Sequence, residues 1–166
     1  MLAIRPEQPG DRAGIHAVEV ACFPTSAEAE LVDALRDAGR LSLSLVAELQ
    51  GVLIGHVAFS PVSVEAGAVG AGLGPLAVLE GQRRRGVGAR LVEDGLAACR
   101  AAGVGWVVVL GDPAYYSRFG FQPAAARGLS DEYGGGLAFQ VLELAAGALP
   151  VGAGLVKYAP EFAAVA

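Results

Sequence analysis

The residues most plainly suited to chemistry in this chain are Arg83-Arg84-Arg85-Gly86-Val87-Gly88, which lead into a stretch with helical apolar spacing. Three consecutive arginines concentrate positive charge in a protein whose formal net charge is -5. The glycines that follow leave the backbone bare, so a ligand can approach it closely. Amides exposed at a helix N-terminus, beside fixed positive charge, make a phosphate site. To present such a site, a strand must end just before the arginines and a helix must begin at their end.

Two better-known phosphate motifs do not account for it. Gly72-Leu73-Gly74-Pro75-Leu76-Ala77 nominally fits the dinucleotide pattern G-x-G-x-x-A. Pro75 and an apolar strand follow it, however, where a helix should begin. A P-loop needs Gly-Lys-Ser/Thr, and the chain's only lysine is Lys157.

The elements around this motif follow from periodicity. Met1–Arg5 alternates weakly and suits an edge strand. Asp11–Ala21 reads as a helix with Ile15, Val18 and Cys22 inward and Arg12, His16 and Glu19 outward. Thr25-Ser26-Ala27-Glu28 matches a capping box, and Gly39 supplies the stop of the helix that follows. Ser42–Leu49 and Val52–Ser60 read as strands joined by a Gln50-Gly51 hairpin turn, with Pro61 ending the second. A Gly/Ala-rich loop then leads to a strand near Gly74–Leu79, a helix over Val87–Ala102, and a strand over Gly105–Leu110 buried on both faces. Asp112-Pro113 opens a short helix that Gly120 stops. Phe121 starts an extended stretch, and Leu137–Leu144 and Gly154–Tyr158 close the sheet.

Composition narrows the class. A length of 166 residues suits one domain, 1–166, and 54% hydrophobic with 17% charged residues is incompatible with disorder. An acidic balance argues against a nucleic-acid partner and mildly favours cationic ones such as amines. The apolar run 101–110 is too short to span a bilayer, and the run 137–156 is broken by Gln140, Glu143 and Pro150. Arg5, Glu7 and Asp11 stand where a signal peptide needs an apolar core, so a cytoplasmic protein with no membrane partner is expected. Cys22 and Cys99 lack metal-ligand spacing and read as two buried thiols rather than a disulfide. With His16 and His56 as the only histidines, no metal is expected.

The order strand, Arg-x-x-Gly-x-Gly, helix resembles the GNAT superfamily of acyl-CoA-dependent N-acetyltransferases. Its diphosphate signature, Gln/Arg-x-x-Gly-x-Gly/Ala, is matched at every fixed position by Arg83–Gly88. Leu76-Ala77-Val78 and Tyr116-Ser117-Arg118-Phe119-Gly120-Phe121 add to the likeness. The fuller string Leu110–Phe121, with Gly55-His56-Val57, Phe59-Ser60-Pro61-Val62 and Leu73–Val78, is similar to one bacterial branch of that family. The likeness spans residues 1–160.

What the resemblance implies is an α/β fold with a mixed central β-sheet, splayed between its fourth and fifth strands, with helices on both faces. Acetyl-CoA is then the acyl donor, in the splay. Leu76, Ala77 and Val78 would offer backbone groups to the pantetheine, with the Val78 amide aimed at the thioester oxygen, where charge builds up. Amides from Arg84 to Ala89, including those of Arg85, Gly86, Val87 and Gly88, would hold the diphosphate, with the arginine side chains, Arg83 included, screening it. Tyr116 occupies the position of the family's general acid, and a phenol suits a thiolate leaving group. Tyr115 beside it is either a cofactor contact or core packing.

For the base that takes the amine proton, Glu80, His56, Glu28 and a water chain stay open, each side chain also having a structural explanation. Acceptor contacts are expected from the two N-terminal helices, the loop Cys22-Phe23-Pro24 and the segment 127–136, with Phe23 and Tyr133 suited to an apolar-sided amine pocket. The expected activity is acetyl transfer to a primary amine, a small molecule by the resemblance, through direct attack without a covalent enzyme intermediate, since neither cysteine has a Cys-His context, in a monomer or homodimer. The alternative is a non-catalytic acyl-CoA sensor, which would tolerate loss of Tyr116.

Overall fold

The computed structural model describes residues 1–149 and 152–165, so Pro150 and its expected break lie outside the described residues. The elements run β1 (Leu2–Pro6), α1 (Arg12–Cys22), α2 (Ala27–Asp37), β2 (Leu43–Leu49), β3 (Val52–Val64), β4 (Val69–Val78), α3 (Val87–Ala101), β5 (Trp106–Leu110), α4 (Pro113–Tyr116), β6 (Gln122–Pro123), β7 (Leu129–Asp131), β8 (Phe139–Glu143) and β9 (Gly154–Lys157). They build one sheet in the order β1-β2-β3-β4-β5-β8-β6, with β9 pairing β3 and β7.

The sheet is mixed, as expected: β1 to β4 are antiparallel neighbours, and β4 and β5, joined by α3, are parallel. The β2–β3 turn has Gln50 at φ 51 and Gly51 at φ 80, the positive values that a tight hairpin needs. Sheet strands extend beyond their sequence limits at two places. Pro61 does not end β3, which continues to Val64. It stands after β2 has ended opposite Phe59 and before β9 begins opposite Ser63, where a missing amide costs no ladder bond. The Gly/Ala stretch after it is not a loop but the first half of β4, which starts at Val69 rather than near Gly74.

Opposite Val57 and Phe59, β4 carries an extra residue around Gly74-Pro75. A bulge of this kind bends its strand away from the neighbour. On its other side β4 pairs with β5 only over Ala71, Gly72 and Leu73. Beyond Leu73 the two strands part, and Leu76–Val78 stays bonded to β3 with its β5-facing edge free. The splay therefore opens between the fourth and fifth strands.

Helices cover both faces. Val87, Leu91, Val92, Leu96 and Cys99 of α3 pack on Leu45, Ala47, Val57 and Phe59. Each such buried side chain contributes about 1.5–3 kcal/mol. The alternate residues Val46 and Ala58 face Ile15 and Val32 of α1 and α2 on the other side. In β5, Val107 and Val109 join the α3 face, while Trp106 and Val108 join Phe139, Val156 and Tyr158. That strand is buried on both faces, as its composition demands.

Candidate active site

The loop after β4 turns back through two left-handed residues. Arg84 has φ 65 and Gly86, at the start of α3, has φ 79. The Arg83 Nε donates to the Val78 carbonyl at 2.8 Å, so the first arginine folds the loop back on the strand end. The Leu79 amide bonds across to Ile54 on β3. Because strand direction alternates, the Leu76 and Val78 amides point the other way, into the splay. A Cβ on Gly88 would come within 2.9 Å of the Tyr115 hydroxyl, so the glycine lets that side chain close on the first turn of α3.

A cavity of about 400 Å³ lies along this edge. Leu76, Ala77, Val78, Arg83, Arg84, Gly86, Val87, Gly88, Ala89 and Tyr115 line it, all named from the sequence. Arg85 is exposed and off the cavity wall. Cys22, Phe23 and Arg118 also line it and were not assigned from the sequence as donor-side residues. Arg118 adds a cation, held 4.4 Å over the Tyr115 ring and bonded through Nε to the Tyr115 carbonyl. It lies inside the string that carries the family likeness, the one signal that pointed to it. Burial pushes the Cys22 thiol pKa up, against the opposing pull of Arg83, so it is held as a neutral thiol. Both cysteines are free.

A second cavity, of about 340 Å³, adjoins the first and shares Phe23 and Leu76 with it. Tyr116 lines this second cavity, while its neighbour Tyr115 turns to the first, their rings edge to face at 88°. Asp112 caps α4 by accepting from the Ala114 amide at 2.9 Å. Any side chain on Gly111 would run into the Tyr116 ring, so the Gly111-Asp112-Pro113 turn sets that ring's place. Tyr116 is 8% exposed, and burial, with Tyr115 beside it, pushes its phenol up to about 12. Phe23 and Tyr133 both line this cavity, with Leu31 of α2 and Phe162 of the closing 3₁₀ turn Pro160–Ala164.

The candidate bases separate. Glu80 is exposed on the loop after β4 and lines neither cavity. His56 is fully buried, its Nδ1 2.7 Å from Glu19 and its Nε2 2.8 Å from Ser44. Glu19, expected to face solvent, is also fully buried. Arg12 and His16 of the same expected face do reach solvent, but Glu19, one turn further on, meets the sheet, and its pairing with His56 makes that burial tolerable. Burial pushes the Glu19 carboxyl up, against His56 and with the help of the Glu28 charge. Ser44 passes the chain of hydrogen bonds to Glu7, which Arg36 grips at 2.7 and 3.0 Å.

Glu28 is the base candidate that lines the second cavity. It does not close a capping box: Thr25 Oγ1 accepts from the Ala27 amide and Ser26 Oγ donates to Glu30. The Glu28 Oε1 is instead buried with no partner. Among the described residues no three metal-ligating side chains converge, and no helix is long and apolar enough to cross a membrane.

A parallel strand pair thus parts beside a glycine-rich helix start, with Tyr115 lining one cavity and Tyr116 the other, the arrangement that the resemblance to acyl-CoA-dependent N-acetyltransferases implies. The Acetyltransferase (GNAT) family model matches residues 11–121, and the chain belongs to that family. Among its relatives is the uncharacterised N-acetyltransferase YhbS of Escherichia coli strain K12, 46% identical over 164 residues, covering 97% of this chain and 98% of that protein. The crystal structure of YhbS in complex with CoA superposes with a TM-score of 0.94 at 45% identity, over 98% of this chain and 92% of that one. A GNAT family acetyltransferase from Brucella melitensis, solved with acetyl-CoA, gives a TM-score of 0.82 at 39% identity over 98% of each chain.

Proposed function

We propose that this protein transfers the acetyl group of acetyl-CoA to a primary amine by direct attack within a ternary complex. The observation that carries the reading is the meeting of two cavities at Phe23 and Leu76, one along the free β4 edge and one beside Tyr116. CoA and acetyl-CoA in the two similar crystal structures support a donor in the first cavity. The amides of Arg84 to Ala89 then take the diphosphate, with Arg83, Arg84 and Arg118 supplying charge. The residue Arg85 contributes its amide while its side chain stays in solvent.

The amine nitrogen attacks the thioester carbon, the C–N bond forms, and negative charge gathers on the oxygen. The Val78 amide, a fixed donor, stabilises that charge more than it stabilises the substrate. The C–S bond then breaks, and Tyr116 meets the leaving sulfur. A phenol near 12 giving up its proton to a thiolate of pKa about 8.5 runs uphill by about 5 kcal/mol. Tyr116 therefore works as a hydrogen-bond donor to the thiolate rather than as a full proton source. Neither cysteine is set up as a nucleophile, which favours the direct route. The amine loses its proton to Glu28 or water, and the reaction belongs to the cytoplasm, where acetyl-CoA is made available.

The test is the melting temperature with and without acetyl-CoA, followed by thiol release with a panel of amines. At about 100 times the dissociation constant the donor adds about 2.7 kcal/mol of stability, or roughly 5–11 °C for a chain of this size. A shift with thiol release in the presence of an amine supports the enzyme. A shift without release from any amine supports a sensor, and no shift removes the donor site.

A further inference from the structure

The second cavity has a distinctive chemistry. Among the described residues Glu28 is the only charged one lining it, and the rest of its wall is aliphatic or aromatic, with Phe23, Tyr133, Tyr158 and Phe162 around it. A carboxylate oxygen buried without a partner in such surroundings is costly unless something arrives to pair with it. The Glu28 Oε1 is in that position. A second, separate atom is too: Tyr158 is 8% exposed, lines the same cavity, and its hydroxyl has no hydrogen-bond partner. Two unpaired polar atoms on one apolar wall mark a site that expects a polar ligand.

Among the described residues none supplies a cation for Glu28. Glu28 lies close enough to Glu19 for its charge to push that carboxyl up, so the charged side chain it acts on is another acid, already engaged with His56. The complement must come with the ligand. A single carboxylate calls for a single cation, because a second ammonium would enter an apolar wall unpaired. A carboxylate next to the amine would stand beside Glu28 with no arginine or lysine in the wall to receive it. A volume of about 340 Å³ fits the small end of the range for small-molecule sites.

We propose that this cavity takes a compact primary monoamine with a flat apolar body and no acid group beside the nitrogen, its ammonium paired with Glu28. The inference rests on the acetyl-transfer reading for its consequence, but the binding it claims is measured without turnover.

The experiment is calorimetric titration of the full chain, saturated with CoA so that no acetyl group is present. The probes are 2-phenylethylamine, neutral 2-phenylethanol, phenylalanine and spermidine. The expected result is at least a 10-fold preference for 2-phenylethylamine over each of the other three. The preference over the alcohol disappears in Glu28→Gln and is partly kept in Glu28→Asp, with CoA affinity unchanged in both. Equal binding of amine and alcohol by the unaltered protein overturns the proposal, as does a Glu28→Gln protein that keeps the preference. Should that variant fail to fold, the ranking by the unaltered protein decides: spermidine or phenylalanine bound as tightly as 2-phenylethylamine overturns it. Thiol release from acetyl-CoA is then scored separately. Selective amine binding with no release leaves the amine site standing and sinks the enzyme; release with spermidine alone sinks the amine site and leaves the enzyme.

Discussion

Gly86 offers the sharpest separation of backbone strain from ligand charge. It begins α3 at φ 79, and a Cβ placed there meets nothing within 4 Å. Gly86→Ala therefore has no clash, only the left-handed conformation, which costs an L residue about 1–2 kcal/mol. The melting temperature of the free protein should fall by roughly 2–8 °C. That strain is present with and without ligand, so the shift caused by acetyl-CoA stays near its original 5–11 °C. Gly86→Glu carries the same strain and adds a carboxylate at the proposed diphosphate site. One charge pair costs about 4 kcal/mol at 4 Å and an effective permittivity of about 20, and the exposure of this turn reduces that to about 2–4. Affinity then drops by about 30- to 1,000-fold. At the same ligand concentration the stabilisation shrinks from about 2.7 to below about 1 kcal/mol. Differential scanning fluorimetry of the three proteins with a CoA titration measures both quantities. If Gly86→Glu keeps the whole shift, the diphosphate does not sit at the start of α3.

Three further outcomes follow from the geometry. Tyr116→Phe should slow thiol release by about 100-fold or more while leaving CoA affinity within a factor of about two. Since burial raises the phenol from 10 to about 12, it stays neutral below that value, and the rate should show no loss attributable to it up to about pH 11. An alkaline limb near pH 10 that Tyr116→Phe removes would contradict this. In α3, Gly95→Ala would ordinarily favour the helix by up to about 1 kcal/mol. Here the added Cβ runs into the Phe59 ring, so the variant should be less stable by about 1–3 kcal/mol in urea denaturation. Glu19→Ala, which leaves the buried Nδ1 of His56 without its partner, should cost about 3–5 kcal/mol. The double change Glu19→Met with His56→Leu should recover most of that loss; a double variant as unstable as the single one would show that the pair itself stabilises the fold.

Much of the donor side was legible because it is nearly contiguous. Residues Leu76 to Ala89 form one strand end, one turn and one helix start, and their types state their backbone requirements directly. The bulge that frees the strand edge was not legible in the same way. It depends on the register of β4 against β3, and Pro61 and the glycines of β4 look like loop residues until their neighbours are known. Glu19 was misassigned for a related reason. A helical wheel gives one face to solvent, but α1 lies between α2 and the sheet, and the last turn of its apparent polar face puts Glu19 on His56, which is 37 positions away. Glu28 has capping-box spacing, and the same first-turn position also aims it at a cavity. Local sequence cannot choose between those two, because the wall that completes the cavity arrives from Tyr133, Tyr158 and Phe162.

That scattered wall has an evolutionary consequence. The last described stretch of the chain reaches the second cavity through Phe162 and Val165, and the Glu161 carboxylate just before them is clipped to Arg40 by two bonds of 2.7 Å. The second cavity thus draws on α2, β4, α4, the segment before β8 and the chain terminus, each held to the body by its own contacts. A replacement in any of these segments except β4, whose Leu76 lines both cavities, reshapes one side of the chamber and leaves the turn at Gly86 untouched. Diversification of what enters the chamber is decoupled from upkeep of the donor grip, so a lineage of such proteins can change its clientele step by step without passing through a form that has lost its donor.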